Sequence, residues 1–400
     1  MAATFKPVTL GNLISKDLSQ AYILPIFPLP ADGQYDKELF INNEQYKVYD
    51  YPPPDPIYNS CQFAWKVSCA AGHEFVVLVD HLPYRELKEH WKQWLPVFPS
   101  ASFKSISEGL ADDTPLVTVA ALESVPANKY SVHPDIIYEL NRKSTILKIG
   151  VPCPKHMTPE NVSFPCVVKV DMAWGGRGNI LARNQRQFSN ALDMVRKQAG
   201  WKGDLLIQEY LDNIIKVHDC YFYLFKSGEV FWLGVYLGQF DFSDGKFEWL
   251  CGLSDFEEEC ERKNYVYDKF IVPIAKFLHE KGYFGALSCE IVENEKGMFL
   301  VDLNVRISGG TSHFLVFPYM AHLGFTKSSY FANKKFQGST PEIIHKANLI
   351  NKSTDKGRIV IFILNNSVNN NNLPECNVTL GIYGRSFDDV NELALKLSSS

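Results

Sequence analysis

FLVDLNVRISGGTSH, residues 299–313, decides how the rest of this 400-residue chain is read. Phe299, Leu300 and Val301 predict a short buried strand. Asp302, Asn304 and Arg306 follow at intervals of two, and side chains two apart on a strand leave the same face. A carboxylate, a carboxamide and a guanidinium therefore project together, just before a backbone opened by Gly309 and Gly310. Oxygen donors beside a cation suit a magnesium–phosphate site, since Mg2+ takes carboxylate and carbonyl oxygens together with substrate phosphates. An arginine there stabilises charge on a transferring phosphoryl group. The plain alternative is an exposed edge whose polar residues are solvated, and one short motif does not decide between the two.

Working outward, residues 285–306 read as a hairpin turning at 293–297, which sets Glu290 and Asp302 on adjacent antiparallel strands. FPCVVKVDMAWGGRGNILARN (164–184) reads as strand, glycine-rich turn, strand. Lys169 ends the first of these strands. Gly175, Gly176 and Gly178 would let backbone N–H groups approach phosphate oxygens closely, and a lysine supplies a compact charge for the same oxygens. A solvated lysine and an ordinary hairpin turn are the alternatives, and the G-K-[ST] ending of a P-loop is absent. Residues 186–200 form an amphipathic pattern that predicts a helix stopping at Gly200. DLLIQEYL (204–211) predicts a strand, 218–240 a strand pair turning at 226–228, and 268–282 a helix with a glycine stop.

Ahead of these lies a first α/β unit. EFVVLVD (74–80) is apolar enough for a buried parallel strand. Residues 84–98 have helical spacing, with Leu87, Trp91, Trp94 and Leu95 on one side. PLVTVAAL (115–122) predicts another strand. No G-x-G-x-x-G follows these strands, so a dinucleotide site there is not supported. YPPPDP (51–56) excludes helix interior and central strand. A helix is expected over 134–149, from Pro134 to a stop at Gly150. Beyond 336, RIVIFIL, an asparagine-rich run (365–372) and GIYGRSFDDVNELALKL predict strand, loop, strand and helix, a small closing subdomain. The boundaries expected are 1–125, 126–336 with a lid part at about 155–212, and 337–400.

The bulk numbers narrow the function classes. A chain 46% hydrophobic and 21% charged, with a net charge of -5, is ordinary for a globular protein. It carries no basic excess for nucleic acid. The first twenty residues lack a basic stretch followed by an apolar core, so no secretory leader is expected. No apolar run approaches the ~18 residues of a membrane helix. Nine cysteines, odd in number, widely spaced and without C-x-x-C, predict reduced thiols in a cytoplasmic protein, with Cys289 a small core residue.

The order of these parts resembles the ATP-grasp superfamily, and within it the carboxylate–amine ligase branch, over about residues 130–330. That order is lysine strand, glycine-rich turn, helix, strand ending in QEYL, strand pair, helix, and a hairpin bearing Glu290 and D-x-N-x-R. The resemblance implies an N-terminal α/β domain followed by a two-subdomain ATP-grasp fold, α/β overall and α+β in the ATP-grasp part. It also implies residue roles. Lys169 would contact the ATP phosphates, and Gly175, Gly176 and Gly178 would form a lid over them. The backbone of Gln208, Glu209, Tyr210 and Leu211 would meet the adenine edge. Glu290, Asp302 and Asn304 would ligate Mg2+, for which Mn2+ can substitute. Arg306 would steady the acyl phosphate and its transition state. Lys143 or Arg142 would be the second phosphate cation, and Asp219, with Asp212 as competitor, the ribose carboxylate. His313 would be either a substrate contact or a structural surface histidine, and the apolar stretch 307–325 would help line the substrate pocket.

The activity so implied joins a carboxylate, an amino acid or small acid, to an amine through an acyl phosphate, releasing ADP and phosphate. Small-molecule substrates, no nucleic acid, no membrane and a homodimer go with it. Two alternatives stay open: a kinase on the same scaffold, and a regulatory protein that binds ATP without turnover, as synapsin-like members do.

Overall fold

The computed structural model describes residues 5–25, 45–46, 67–79, 82–123, 125–173, 178–197, 205–241, 248–368 and 374–398. The proline run 51–56, Cys61, Gly175, Gly176, Gly200 and residues 369–372 of the asparagine tract lie outside the described residues.

The first unit runs α1 (Leu10–Ile14), β1 (Tyr22–Leu24), β2 (Val76–Val79), α2 (Arg85–Trp94), β3 (Ser102–Ser105), α3 (Ile106–Ala111) and β4 (Leu116–Thr118). Its strands pair in parallel in the order β3-β2-β1-β4. Val77, Leu78 and Val79 are buried, as the apolar run predicts for a parallel sheet.

The single helix expected over 134–149 is two pieces: α4 (Pro134–Leu140) and a 3-10 turn over Lys143–Lys148. The break is set by tertiary hydrogen bonds. The Asn141 carboxamide donates to Ile137 O at 2.8 Å and to Val305 O at 3.1 Å, and accepts the Val305 N–H at 3.0 Å. The Lys143 N–H donates to Asp171 O at 2.6 Å. These bonds displace the i→i−4 ladder that a continuous helix needs. The stop at Gly150 is as expected, with φ +84°.

A small antiparallel sheet follows: β5 (His156–Met157), β6 (Cys166–Val170), β7 (Asn179–Ala182) and β8 (Leu205–Glu209), ordered β5-β8-β6-β7, with α5 (Gln185–Lys197) against it. Cys166, Val168 and Ile207 pack on Phe188 and Ala191 of α5. Alternation therefore sends Val167, Lys169, Leu206 and Gln208 to the opposite face. At the end of the glycine turn, Gly178 has φ +68°, and a Cβ there would lie 2.9 Å from the Val170 side chain. Only glycine fits both conditions.

The large sheet comprises eight antiparallel strands. In chain order the elements are β9 (Ile214–Leu224), β10 (Val230–Asp241), β11 (Glu248–Asp255), α6 (Glu259–Val266), a π-turn over Tyr267–Ile271, α7 (Val272–Glu280), β12 (Gly285–Asn294), β13 (Gly297–Asn304), α8 (Thr311–His322), β14 (Lys327–Gln337), α9 (Thr340–Ser353), β15 (Gly357–Val368), β16 (Pro374–Gly384) and α10 (Phe387–Ser398). The strand order is β13-β12-β9-β10-β11-β14-β16-β15. The strands at RIVIFIL and VTLGIYG thus belong to this sheet. Within 307–325, the stretch expected to help line a substrate pocket, Thr311–His322 forms α8, and Thr311 to Phe317, Tyr319 and Met320 are buried in it. A helix apolar on all sides is a core helix.

The first unit is fastened to the far edge of the large sheet. The Trp91 indole donates to Ile361 O at 2.7 Å. His90 Nε2 accepts the Ile361 N–H at 3.1 Å, and its Nδ1 lies 2.7 Å from Asn348 Oδ1. Burial pushes His90 down to about 4, so the ring is neutral and donates from Nδ1.

Candidate active site

Three carboxylates stand in a row across the large sheet. Asp302 on β13 is the register partner of Glu290 on β12, which is the partner of Asp219 on β9. Directly opposed residues on antiparallel strands share a face. One step further along, Asn304, Ser288 and Tyr221 are partners in the same way. The sequence expectation that the hairpin pairs Glu290 with Asp302 is met.

The row's electrostatics follow from burial and charge. Burial, then the neighbouring Asp302, pushes the Glu290 carboxyl up to about 7. Burial works against the Asp302 carboxylate too, but the Lys143 ammonium holds it below the usual range. Asp219 is pushed well up by burial and by Glu290. Its Oδ2 accepts from the Tyr221 hydroxyl at 3.3 Å, and its Oδ1 is buried with no partner among the described residues.

The cations come from three elements. Lys143, on the 3-10 turn, makes an ion pair with Asp302. Lys169, on β6, donates to Val301 O at 3.0 Å, and burial followed by repulsion from Lys143 pushes it down to about 8. Arg306, just past β13, donates to Asn141 Oδ1 at 3.3 Å, and burial lowers it from its ordinary value. Of the two candidates for the second phosphate cation, Lys143 enters the site. Arg142 turns away, its Nε 2.5 Å from Asp171 Oδ2.

At the QEYL segment the side chains divide. Gln208 is buried, and neither its amide nitrogen nor its carbonyl oxygen has a partner among the described residues. Glu209 accepts the Lys155 N–H at 2.9 Å and donates its own N–H to Lys155 O at 2.9 Å. The Tyr210 N–H donates to Pro165 O at 3.3 Å. The backbone N–H groups of Glu209 and Tyr210 are therefore committed within the small sheet. Leu211 packs with Val217 and Val292, joined by Ile214, Phe240, Phe299 and Val301. Val217 and Val292 are register partners, two residues along the strands from Asp219 and Glu290. An apolar patch thus adjoins the acidic row on the same face.

Beside the row, the Tyr221 hydroxyl lies 2.8 Å from that of Tyr236 and accepts the Gly310 N–H at 3.3 Å. A Cβ on Gly310 would lie 2.7 Å from the Tyr221 ring. His313 is neither on the surface nor facing the cleft. It is buried, with Nε2 3.2 Å from Ser328 Oγ and Nδ1 3.1 Å from the Tyr383 hydroxyl. Asp212, the other ribose candidate, is exposed and lies 3.4 Å from Lys296.

Two residues the sequence did not single out shape the site. Asn141 holds Arg306 and the β13 end, and Asp171 holds the segment bearing Lys143. The only sequence signal was position: Asp171 is two residues past Lys169 at a strand end, and Asn141 lies at the helix end just ahead of Arg142 and Lys143.

The donor set fits magnesium nucleotide chemistry. Glu290, Asp302 and Asn304 offer oxygen alone, and among the described residues no three His, Cys, Asp or Glu side chains form a metal site unaided. Such a set suits a hard cation completed by phosphate oxygens. The orphaned Gln208 amide, which can both donate and accept, fits a nucleobase edge, because buried amides are normally paired. Among the described residues, no helix is long and apolar enough to cross a membrane.

Comparison with known proteins finds likeness over part of the sequence and in the fold. Residues 155–218 match the family "Carbamoyl-phosphate synthase L chain, ATP binding domain". A 2-oxoglutarate carboxylase small subunit of Hydrogenobacter thermophilus is 27% identical over 154 residues, covering 37% of this chain and 31% of that protein. A 5-formaminoimidazole-4-carboxamide-1-(beta)-D-ribofuranosyl 5'-monophosphate synthetase of Pyrobaculum aerophilum is 33% identical over 90 residues, 22% of this chain and 24% of that one. The chain thus matches these curated relatives over 31% and 24% of their own length. The solved structure of N5-carboxyaminoimidazole synthetase from Staphylococcus aureus superposes with a TM-score of 0.50 at 10% identity, covering 99% of this chain and 100% of that one. At that identity the likeness is one of fold.

Proposed function

We propose that the chain is an ATP-dependent ligase of the ATP-grasp kind, joining a small carboxylate to an amine. The observation that carries this reading is the register of Asp302 against Glu290, with Lys143, Lys169 and Arg306 gathered on the same point.

A carboxylate is a poor acyl donor because oxide is a poor leaving group. Its oxygen would attack the γ-phosphorus of ATP, breaking the bond to ADP and giving an acyl phosphate. The amine nitrogen would then attack the acyl carbon, the carbon–oxygen bond to phosphate would break, and an amide, phosphate and a proton would remain. For such transfers the protein supplies positioning and charge neutralisation. Lys143 and Lys169 would hold the phosphate oxygens, Lys143 leaving Asp302 to do so. Arg306 would face the oxyanion formed as the amine adds. Glu290, Asp302 and Asn304 would hold Mg2+, which neutralises phosphate charge when bound. Gly178 closes the turn proposed to cover the phosphates and keep water from the acyl phosphate. The nucleobase would lie on the patch of Val217, Val292 and Phe299 with its polar edge toward Gln208. The ribose would meet the exposed Asp212 sooner than the buried Asp219.

The test is a screen of carboxylates paired with amines for ATP-dependent phosphate release, with the products weighed by mass spectrometry. ADP, phosphate and a condensed amide are expected. ADP with a phosphorylated substrate would replace the ligase by a kinase. Full ATP consumption in Glu290→Ala and Asp302→Ala would remove the site itself from the reading.

A further inference from the structure

We propose that Asp171 is a positioning residue that locks the Arg142–Ser144 segment to the end of β6, forcing the ammonium groups of Lys143 and Lys169 to converge. The inference rests on the nucleotide reading given above and adds a residue to it.

The two lysines reach the site from separate elements, Lys143 from the 3-10 turn and Lys169 from the small sheet. Like charges brought together repel, so something must hold the two elements in place. Asp171 is buried at 2% exposure, immediately after β6 and two residues beyond Lys169. It is bonded on both sides of Lys143. Its carboxylate accepts from Arg142 Nε at 2.5 Å and from the Ser144 N–H at 2.7 Å. Its backbone oxygen accepts the Lys143 N–H at 2.6 Å. Three consecutive residues, Arg142 to Ser144, are therefore tied to the one residue that follows β6. The Lys143 side chain is not part of the clamp, so its ammonium is left to exchange Asp302 for a phosphate oxygen. The Arg142 guanidinium neutralises Asp171, which separates this carboxylate from the cation-holding row. A charge pair with a buried carboxylate resists opening, because removing Arg142 strands Asp171.

The geometry gives Asp171 an effect that must pass through Lys143, and a double-mutant cycle on nucleotide binding reads that. Magnesium ADP is titrated calorimetrically into wild type, Asp171→Asn, Lys143→Met and the double variant. An asparagine would turn a donor toward Arg142 and break the pair. Asp171→Asn is expected to weaken binding about tenfold in the wild-type background and less than about twofold with Lys143→Met, the non-additivity of residues acting as one unit. Arg142→Met opens the clamp from the other side and is expected to repeat the pattern, so it carries the cycle if Asp171→Asn fails to fold. Equal losses in both backgrounds, or no loss in the wild-type background, would overturn the proposal while leaving the ligase reading intact. A wild-type protein that binds no magnesium ADP would overturn both.

Discussion

Gln208 shows what a binding residue costs before its ligand arrives. A buried amide with neither atom paired costs about 1–3 kcal/mol, because it has given up water without replacement. Gln208→Met, similar in size and without the polar atoms, is expected to raise the stability by about 1 kcal/mol, read by thermal unfolding. The same variant should weaken nucleotide binding about tenfold, the worth of one good hydrogen bond. Lower stability with unchanged affinity would make the amide a packing residue. In the acidic row, Glu290→Gln and Asp302→Asn should each lower ATP turnover by about 100-fold or more with the fold kept, as loss of a charged contact to a phosphoryl site does. Steady-state ADP release together with circular dichroism checks this. These two residues were legible because a period of two and a hairpin fix their facing. Asp171 and Asn141 were not, since their work is done on partners 29 and 164 residues away. The resemblance implies a ribose role for Asp219, and strand register sets its carboxylate beside Glu290.

Among the elements, Gly178, just ahead of β7, carries the sharpest local requirement. Gly178 combines φ +68° with a side-chain contact that a Cβ would violate. Gly178→Ala should therefore cost about 1–3 kcal/mol, from a strained dihedral and from displacement of Val170. Urea unfolding measures it, and a neutral result would mean that the turn relaxes freely. The strands flanking this turn and the 285–306 hairpin were readable because their apolar runs and glycines are local signals. The 134–149 segment misled because its composition is helical throughout, while Asn141 and Lys143 spend their hydrogen bonds on Val305 and Asp171. Residues 307–325 left their form open for a different reason. An apolar aromatic stretch serves equally as a pocket wall or a core helix, and the closing of α8 over the sheet by Phe314, Phe317 and Met320 is a tertiary fact.

At the scale of the molecule, two neutral imidazoles tie the parts together. His90 joins α2 to β15 and α9, and His313 joins α8 to β14 and β16. Burial lowers His90 to about 4 and His313 to about 3, whereas an unfolded histidine titrates near ~6.5. As pH falls, the unfolded chain takes up these protons first. The stability they provide is complete above about pH 6.5 and is lost progressively toward pH 4, on the order of 3 kcal/mol for His90 alone. Denaturant midpoints measured from pH 7.5 down to 4.5 should fall accordingly, and His90→Gln should flatten the slope. A flat wild-type profile would mean that these rings are not held neutral. The parallel first sheet and the antiparallel strands that follow it were foreseeable from alternation and apolar runs. The continuity of the C-terminal strands with the large sheet was not, because strand order across β14, β16 and β15 leaves no local mark.

If this site turns a carboxylate into an acyl phosphate, an oxygen isotope reports on that step directly. The protein is incubated with magnesium ATP, an amine and a carboxylate labelled with oxygen-18 on both oxygens, drawn from whichever pair the screen identifies. The released phosphate is then weighed. Attack by the carboxylate on ATP, followed by cleavage of the acyl carbon–oxygen bond, must move one labelled oxygen into phosphate, so phosphate heavier by one isotopic substitution and an amide retaining the other label are the predicted result. Unlabelled phosphate formed alongside the amide would overturn the acyl-phosphate step, because the carboxylate oxygen would then never have been joined to phosphorus.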